Sequence, residues 1–161
     1  MREDESLNTV RDIVKGGRMV SYVDIIKRLL PGNYSTSSGN PLSPEHFEDF
    51  VRRVKEKVPE LRDKEDWEVE SITLEAIEWA RDNICKELNF TDFSRPPDFS
   101  ESVGLYVCYH PEIGNFYMVV HEEMDAASAS GYFGFLLTKD KERAKEDYRY
   151  IVKEESERLE E

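Results

Sequence analysis

The stretch VGLYVCYHPEIGNFYMVVH, residues 103–121, decides the fold class of this chain. Two runs rich in β-branched and aromatic residues, Val103–His110 and Asn115–His121, flank the turn-forming residues PEIG. This pattern predicts a β-hairpin in which His110 pairs with Asn115. A third run of the same kind, Gly131–Thr138, follows. The sequence therefore predicts a small antiparallel sheet in the second half of the chain.

The predicted register assigns every strand residue to one side of the sheet, because successive side chains point to opposite sides. One side is apolar and is predicted to be core; it holds Val103, Leu105, Val107, Tyr109, Phe116, Met118 and Val120. The other side combines tyrosines, histidines and a thiol, namely Tyr106, Cys108, His110, Tyr117, His121 and Tyr132. Tyrosine offers a large, rigid contact area with a hydroxyl group, so we predict that these six residues bind a partner. The alternative is that a flanking helix or segment 90–99 covers them.

Apolar residues before the sheet recur at helical spacing and predict three helices in the first part of the chain. The first begins at Ser6 and ends at the glycine pair 16–17. The second begins with Ser21 and Asp24, which form the pattern of a capping box. The third spans 43–58, with Ser43 as its cap, and a polar loop at 31–42 precedes it.

A fourth helix is predicted at about 68–89, and a last helix runs to the C-terminus from a cap at Thr138 or Asp140. Segments 90–102 and 122–130 are predicted to be irregular. The expected fold class is α+β: a helical N-terminal half of about three helices, followed by an α-β-β-β-α unit with a small antiparallel sheet.

Charge is distributed unevenly along the 161 residues, which carry 35 acidic and 22 basic side chains and a net charge of −13. Residues 1–65 hold 12 of each kind and are neutral, so residues 66–161 carry the whole excess. We predict a neutral helical subdomain at 1–65, winged-helix-like in its order of elements, and an acidic α+β subdomain at 66–161. The two could also form one compact domain.

The acidic half favours a partner of opposite charge. Residues 103–138 contain no Lys or Arg, whereas an acidic contact loop is predicted from Glu112, Glu122, Glu123 and Asp125. Stacking tyrosines without phosphate-neutralising cations make a poor nucleic-acid surface, and the net charge opposes anionic membranes. We therefore expect a small regulatory protein that binds a basic protein surface, as an inhibitor or a nucleic-acid mimic would.

A second hypothesis is a DNA-binding transcriptional regulator that uses the N-terminal helices. Its phosphate contacts would be Arg52, Arg53, Lys55 and Lys57, late in the third helix. The start of that helix is acidic, however, whereas a recognition helix usually presents basic and amide side chains there.

The third hypothesis is a small enzyme that uses the cluster His121-Glu122-Glu123. The cluster is not the zinc motif HExxH, and Cys108 and His110 lie two residues apart on one strand, too far for a direct hydrogen bond. We therefore predict no enzymatic activity, no cofactor and no metal.

Few cysteines and no long apolar run suggest where the protein works. Two cysteines without a CxxC motif fit a reducing compartment, and no run approaches the roughly 18–20 apolar residues of a membrane span. The first five residues, MREDE, lack the apolar core of a signal peptide. We expect a cytoplasmic protein.

Overall fold

A five-stranded antiparallel sheet dominates the computed structural model, which describes residues 13–15, 18–38 and 44–160. The strands are β1 (Ile13–Lys15), β2 (Arg18–Val20), β3 (Gly32–Ser38), β4 (Cys85–Asp92), β5 (Phe99–His110), β6 (Gly114–Asp125) and β7 (Ser130–Thr138). The helices are α1 (Tyr22–Leu29), α2 (Pro44–Lys57), α3 (Asp66–Asn83) and α4 (Lys141–Glu160). The sheet has the order β3-β7-β6-β5-β4, and β1 pairs with β2 separately.

Helices cover both sides of the large sheet. Helices α1, α2 and α3 pack on one side, where the main core includes Ile26, Phe50 and Ile77 from the helices and Phe116 and Phe135 from the sheet. Helix α4 lies on the other side, over a smaller core built from Val103, Leu105, Val119, Leu136 and Ala144. Strand β3 comes from the first half of the chain and pairs with β7 from the second. The fold is α+β, with no helix among the described residues long and apolar enough to cross a membrane.

The predicted hairpin exists, but its register differs by one residue. His110 pairs with Gly114 instead of Asn115. Gly114 has a φ of +86°, a left-handed conformation that glycine adopts at little cost, and this allows the shorter turn. A shift of one residue exchanges the neighbours of every side chain. Tyr106 and Cys108 therefore lie on the main-core side, whereas Val103 faces α4.

The predicted helical first half is wrong. Residues 13–15, expected at the end of the first helix, form strand β1, while Ser6 lies outside the described residues. Segment 32–38, expected to be a polar loop, is strand β3 at the edge of the sheet. Its only large apolar side chain is Tyr34, so the periodic signal of a strand is weak. Backbone pairing with β7 forms the strand instead.

The predicted fourth helix was too long, and the predicted strands were too short. Helix α3 ends at Asn83, and the chain continues as strand β4 because its backbone pairs with β5. Strand β5 begins at Phe99 and β6 extends to Asp125. About half of segments 90–102 and 122–130, expected to be irregular, therefore belongs to strands. Their polar and charged residues hide the alternation that usually reveals a strand.

Two predicted caps are confirmed. The Ser21 hydroxyl accepts the Asp24 N–H at 3.1 Å, and the Asp24 carboxylate accepts the Ser21 N–H. The Asp140 carboxylate accepts the backbone N–H groups of Glu142 and Arg143, which begins helix α4. Such reciprocal or paired caps satisfy amides that have no partner inside the helix.

Tyrosine rings lie across glycines two residues away on the same strand. A Cβ atom at Gly104 would lie 2.5 Å from the Tyr106 hydroxyl, and one at Gly32 would lie 2.5 Å from the Tyr34 hydroxyl. The missing side chain at each glycine therefore makes room for a buried ring.

Candidate functional site

Five ionisable side chains meet between the sheet and helix α4. We call Glu101, His121, Glu123, Glu155 and Arg158 the buried carboxylate cluster. Glu101 on β5 lies directly opposite Glu123 on β6, and His121 is two residues from Glu123 on the same side. Helix α4 contributes Glu155 and Arg158, which are neighbours one helical turn apart. The cluster thus depends on two strands and one helix.

Hydrogen bonds connect four of the five members of this cluster. His121 Nε2 and Glu101 Oε2 are hydrogen-bonded at 2.7 Å. Arg158 Nη2 donates to Glu101 Oε1 at 3.2 Å, and Arg158 Nε donates to Glu155 Oε1 at 2.9 Å. The Glu101 side chain is 0% exposed and that of His121 is 12% exposed. Charge on Glu101 is therefore removed almost completely from water.

Burial changes the protonation of the cluster. It raises the pKa of Glu101 to about 8, with further contributions from Glu155 and Glu123, against the opposing charge of Arg158. Burial also lowers the pKa of His121 and raises the pKa of Glu123. Burial opposes ionisation of Glu155, but hydrogen bonds from Glu101 and Arg158 outweigh it and lower the pKa. At neutral pH, Glu101 therefore retains a proton beside an ionised Glu155.

An open groove of about 450 Å³ adjoins the cluster at the end of the sheet that holds Phe99 and Asp125. We call it the acidic groove. Its walls are Thr36, Glu70, Leu74, Phe90, Asp92, Ser94, Ser100, Glu101, Ser102, Glu122, Glu123, Met124, Gly131, Tyr132 and Phe133. Five of these residues carry carboxyl groups, and none of the described wall residues is Lys or Arg. Glu101 and Glu123 belong to both the groove and the cluster.

The carboxylates of the groove differ in their partners. Glu70 Oε2 accepts from the Thr36 hydroxyl at 2.6 Å. Glu122 Oε2 accepts a hydrogen bond from the guanidinium of Arg81 on helix α3 at 2.8 Å. The side-chain and backbone hydrogen bonds from Ser94 lower the pKa of Asp92, which is exposed.

Large apolar side chains stand at the mouth of the groove. Phe90 on strand β4 is 48% exposed and Met124 on strand β6 is 53% exposed. Leu74 of helix α3 forms part of the wall. The groove therefore combines negative charge with accessible apolar surface.

The six residues predicted to form one aromatic surface are divided between the two sides of the sheet. Tyr106 and Cys108 are buried in the main core. Tyr117, His121 and Tyr132 lie on the α4 side and are partly buried, while His110 is at the hairpin turn and accepts the Glu112 N–H through Nδ1. No single exposed surface joins the six among the described residues. Their role in partner binding stays a prediction.

The predicted acidic contact loop is also divided. Glu112 is exposed in the hairpin turn, at the opposite end of β5 and β6 from the other three residues. Glu122, Glu123 and Asp125 belong to strand β6 and are not in a loop. Glu122 faces Arg81 on the α3 side, whereas Glu123 joins the cluster beneath α4.

Most of the predicted DNA contacts already have partners within the protein. Arg52 pairs with Asp49 and Glu56, and Lys55 lies 3.8 Å from Asp66. Arg53 donates to the Asn33 carbonyl at 2.9 Å and stacks over the Tyr34 ring. Lys57 is exposed in the last turn of α2. Binding to phosphates would require the first three to give up these contacts, and the DNA hypothesis stays untested.

Cys108 forms a disulfide with Cys85, with 4.0 Å between the two Cα atoms. In the predicted register, with His110 opposite Asn115, Cys108 would lie opposite Tyr117, but its neighbours are Phe116 on β6 and Cys85 on β4. The disulfide also leaves no free thiol for a Cys108–His110 nucleophile pair, which was already rejected on distance. The disulfide attaches edge strand β4 to the sheet, and it does not identify a cellular compartment.

Sequence reasoning missed the most deeply buried member of the site. Glu101 occurs in the alternating series Phe99, Glu101, Val103 and Leu105, where every second residue points to the same side. A carboxylate at an otherwise apolar position is a signal of a buried functional group. Glu155 and Arg158 carried no such signal, because they resemble the other charged residues of α4.

Comparison with known proteins adds no name to this site. No family model, no curated protein and no solved structure matches the chain. The geometry of the acidic groove and of the buried carboxylate cluster must therefore support any functional conclusion.

Proposed function

We propose that this is a non-catalytic binding protein that takes a positively charged segment of another protein into the acidic groove. The observation that supports it is the groove of about 450 Å³, whose wall holds the carboxylates of Glu70, Asp92 and Glu122 and no Lys or Arg among the described wall residues. Complementary charge accelerates encounter and selects the partner. Such a protein would act as a regulator or an inhibitor of its partner.

Apolar contacts would supply most of the affinity. Phe90 and Met124 are exposed at the mouth of the groove, and Leu74 lies in its wall. Burying large apolar side chains stabilises a complex more than exposed ion pairs do. The proposed ligand is therefore a segment in which Lys or Arg alternates with aliphatic or aromatic residues.

Binding inside the groove fits better than extension of the sheet along the outer edge of β4. In the described part of the chain, β4 pairs with β5 alone and is an edge strand. However, its pairing shifts between Glu87 and Asn89, and such a bulge disfavours addition of another strand. The ligand would contact Phe90 and Asp92 through side chains.

The test compares synthetic peptides by fluorescence anisotropy, with a chelator present. One peptide alternates Lys with Leu, one replaces Lys by Glu, and one replaces Leu by Ser. We expect binding of the first alone, with an affinity that falls as salt is raised from low to physiological concentration. The double variant Glu70→Gln/Asp92→Asn should weaken it several-fold, because it removes two groove carboxylates that attract the lysines of the peptide.

A matched control keeps the charge change but moves it away from the groove. Asp82→Asn/Glu157→Gln removes two exposed carboxylates, one each from α3 and α4. If this control weakens binding as much as the groove variant does, attraction is a property of the net charge and the groove has no specific role. Equal binding of the Lys and Glu peptides would also reject the proposal.

A further inference from the structure

The buried carboxylate cluster has the donor set of a metal site. One ligand atom each from Glu101, His121, Glu123 and Glu155 can be chosen so that all four lie within 4.8 Å of one another. Ligands of a single six-coordinate ion, each about 2.1 Å from it, lie up to about 4.2 Å apart. Small side-chain rotations would therefore bring these four around one ion. One imidazole nitrogen and three carboxylates are a mixed donor set and not merely an acidic surface.

The sheet itself forces two of these carboxylates together. Glu101 and Glu123 are directly opposite in the β5–β6 register, and like charges in that position destabilise a sheet. Helix α4 then adds Glu155 above them. The side chain of Glu101 is fully buried, where water cannot screen the repulsion. A backbone arrangement that concentrates negative charge in this way needs a counterion.

Arg158 supplies only part of the compensating charge. It contacts Glu101 and Glu155, and three ionised carboxylates with one guanidinium and a neutral imidazole leave a charge of −2. A divalent ion carries twice the charge of Arg158 and can take its place between the carboxylates. The Arg158 side chain is 46% exposed and lies near the end of α4, so it can rotate toward water.

An ion can reach the cluster from the α4 side. The side chain of Glu155 is 16% exposed and that of Arg158 is 46% exposed, whereas Glu101 is fully buried. Glu101 and Glu123 also line the acidic groove, although their side chains point to the α4 side of the sheet. Two of the four donors are therefore buried and two are partly exposed.

We propose that the buried carboxylate cluster binds one divalent first-row transition ion, zinc or manganese, through Glu101, His121, Glu123 and Glu155. The imidazole ligand favours these ions over magnesium and calcium, which prefer oxygen donors alone. Binding displaces Arg158 from the carboxylates of Glu101 and Glu155. Because two ligands are on the sheet strand β6, one on β5 and one on α4, the ion would tie the helix to the sheet. This site is independent of peptide binding in the groove.

The experiment uses the full chain without an affinity tag, after treatment with a chelator and its removal. Titration calorimetry with zinc, manganese and magnesium chlorides measures affinity and stoichiometry. We expect one equivalent of zinc or manganese and at least tenfold weaker binding of magnesium. Glu155→Gln should weaken zinc binding at least tenfold, whereas Glu157→Gln, an exposed neighbour on the same helix, should not change it.

Arg158→Gln separates a metal site from a purely structural ion-pair network. Removal of the competing cation should tighten zinc binding, whereas a structural network would be weakened with no gain in metal affinity. The continuous-wave spin resonance spectrum of manganese provides a second readout, because protein ligation broadens the signal of the hydrated ion. His121→Gln and Glu101→Gln should restore the signal of the free ion at equal concentrations.

Three results would overturn the assignment. The first is no saturable binding of zinc or manganese to either the native chain or Arg158→Gln. The second is zinc binding that is the same in Glu155→Gln, His121→Gln and the native chain, which would indicate scattered surface carboxylates. The third is equal affinity for magnesium and zinc. Glu155→Gln and Arg158→Gln alter partly exposed side chains, so the test does not depend on whether Glu101→Gln folds.

Discussion

Reduction of the Cys85–Cys108 disulfide should loosen strand β4 before it unfolds the rest of the protein. The two residues are separated by 23 positions, and the loss of a cross-link of this length costs about 3 kcal/mol by the chain-entropy argument. For a chain of this size, such a loss lowers the melting temperature by about 6–12 °C. The reduced protein should therefore melt markedly earlier than the oxidised protein.

The loss should be local, because little apolar surface holds β4 in place. Its central residues are exposed, with Leu88 at 43% and Phe90 at 48%. It is an edge strand that pairs with β5 alone among the described strands. In the reduced protein, amide hydrogens of β4 should exchange at least tenfold faster, while those of β6 at the sheet centre should exchange at rates set by global stability.

The assay is hydrogen exchange followed by mass spectrometry on matched oxidised and reduced samples, with thermal melts of both. Free thiols are counted under denaturing conditions to verify each state. Because Phe90 and Asp92 of β4 line the acidic groove, the Lys–Leu peptide should also bind the reduced protein more weakly. Equal melting temperatures and equal exchange of β4 in the two states would refute the role given to the disulfide.

Two further predictions concern the sheet. In metal-free protein, the pKa of Glu101 is raised to about 8, so folding favours the protonated form and the free energy of unfolding falls until the pH reaches that value. We expect a fall of about 2 kcal/mol between about pH 6.5 and pH 8, with little further change at higher pH. Denaturant unfolding should show this fall in the native chain and not in Glu101→Gln, and a flat native profile would contradict it. Below about pH 6.5, the lowered pKa of His121 has the opposite effect, since stability is lost as the unfolded chain gains a proton. Gly104→Ala should lower the free energy of unfolding by about 1–3 kcal/mol, because the added Cβ atom would lie 2.5 Å from the Tyr106 hydroxyl. Adding Tyr106→Leu to this variant should recover part of the lost stability. A Gly104→Ala protein as stable as the native one would show that the Tyr106 ring moves freely.

Local signals in the sequence were sufficient where one short motif determines the backbone. The capping box of Ser21 and Asp24 and the cap at Asp140 predict helix starts because each satisfies amides within a few residues. The hairpin also follows from local sequence, since its turn contains Gly114. The α+β class could therefore be predicted from the sequence, but the number and order of the first elements could not.

The strands that form only by pairing with residues distant in the sequence, β3 and β4, were not predicted. Strand β3 is polar, with sequence GNYSTSS, and becomes a strand because it pairs with β7, whose partner residues lie 93 to 105 positions later in the chain. Strand β4 follows a helical pattern into segment 85–89, but pairing with β5 and the disulfide to Cys108 outweigh helical propensity. Neither long-range pairing can be read from nearby residues.

The difference of one residue in the hairpin register decides whether a site exists at all. With His110 paired to Asn115, Glu101 and His121 would point to opposite sides of the sheet, and the histidine would face no buried carboxylate. With His110 paired to Gly114, Glu101, His121 and Glu123 share the side that α4 covers. Gly114, which permits the shorter turn, therefore also brings three ionisable groups together around Glu101, nine residues before His110 on β5. A longer turn at Gly114 that restored the predicted register would place Glu101 and His121 on opposite sides of the sheet, and the site would be lost.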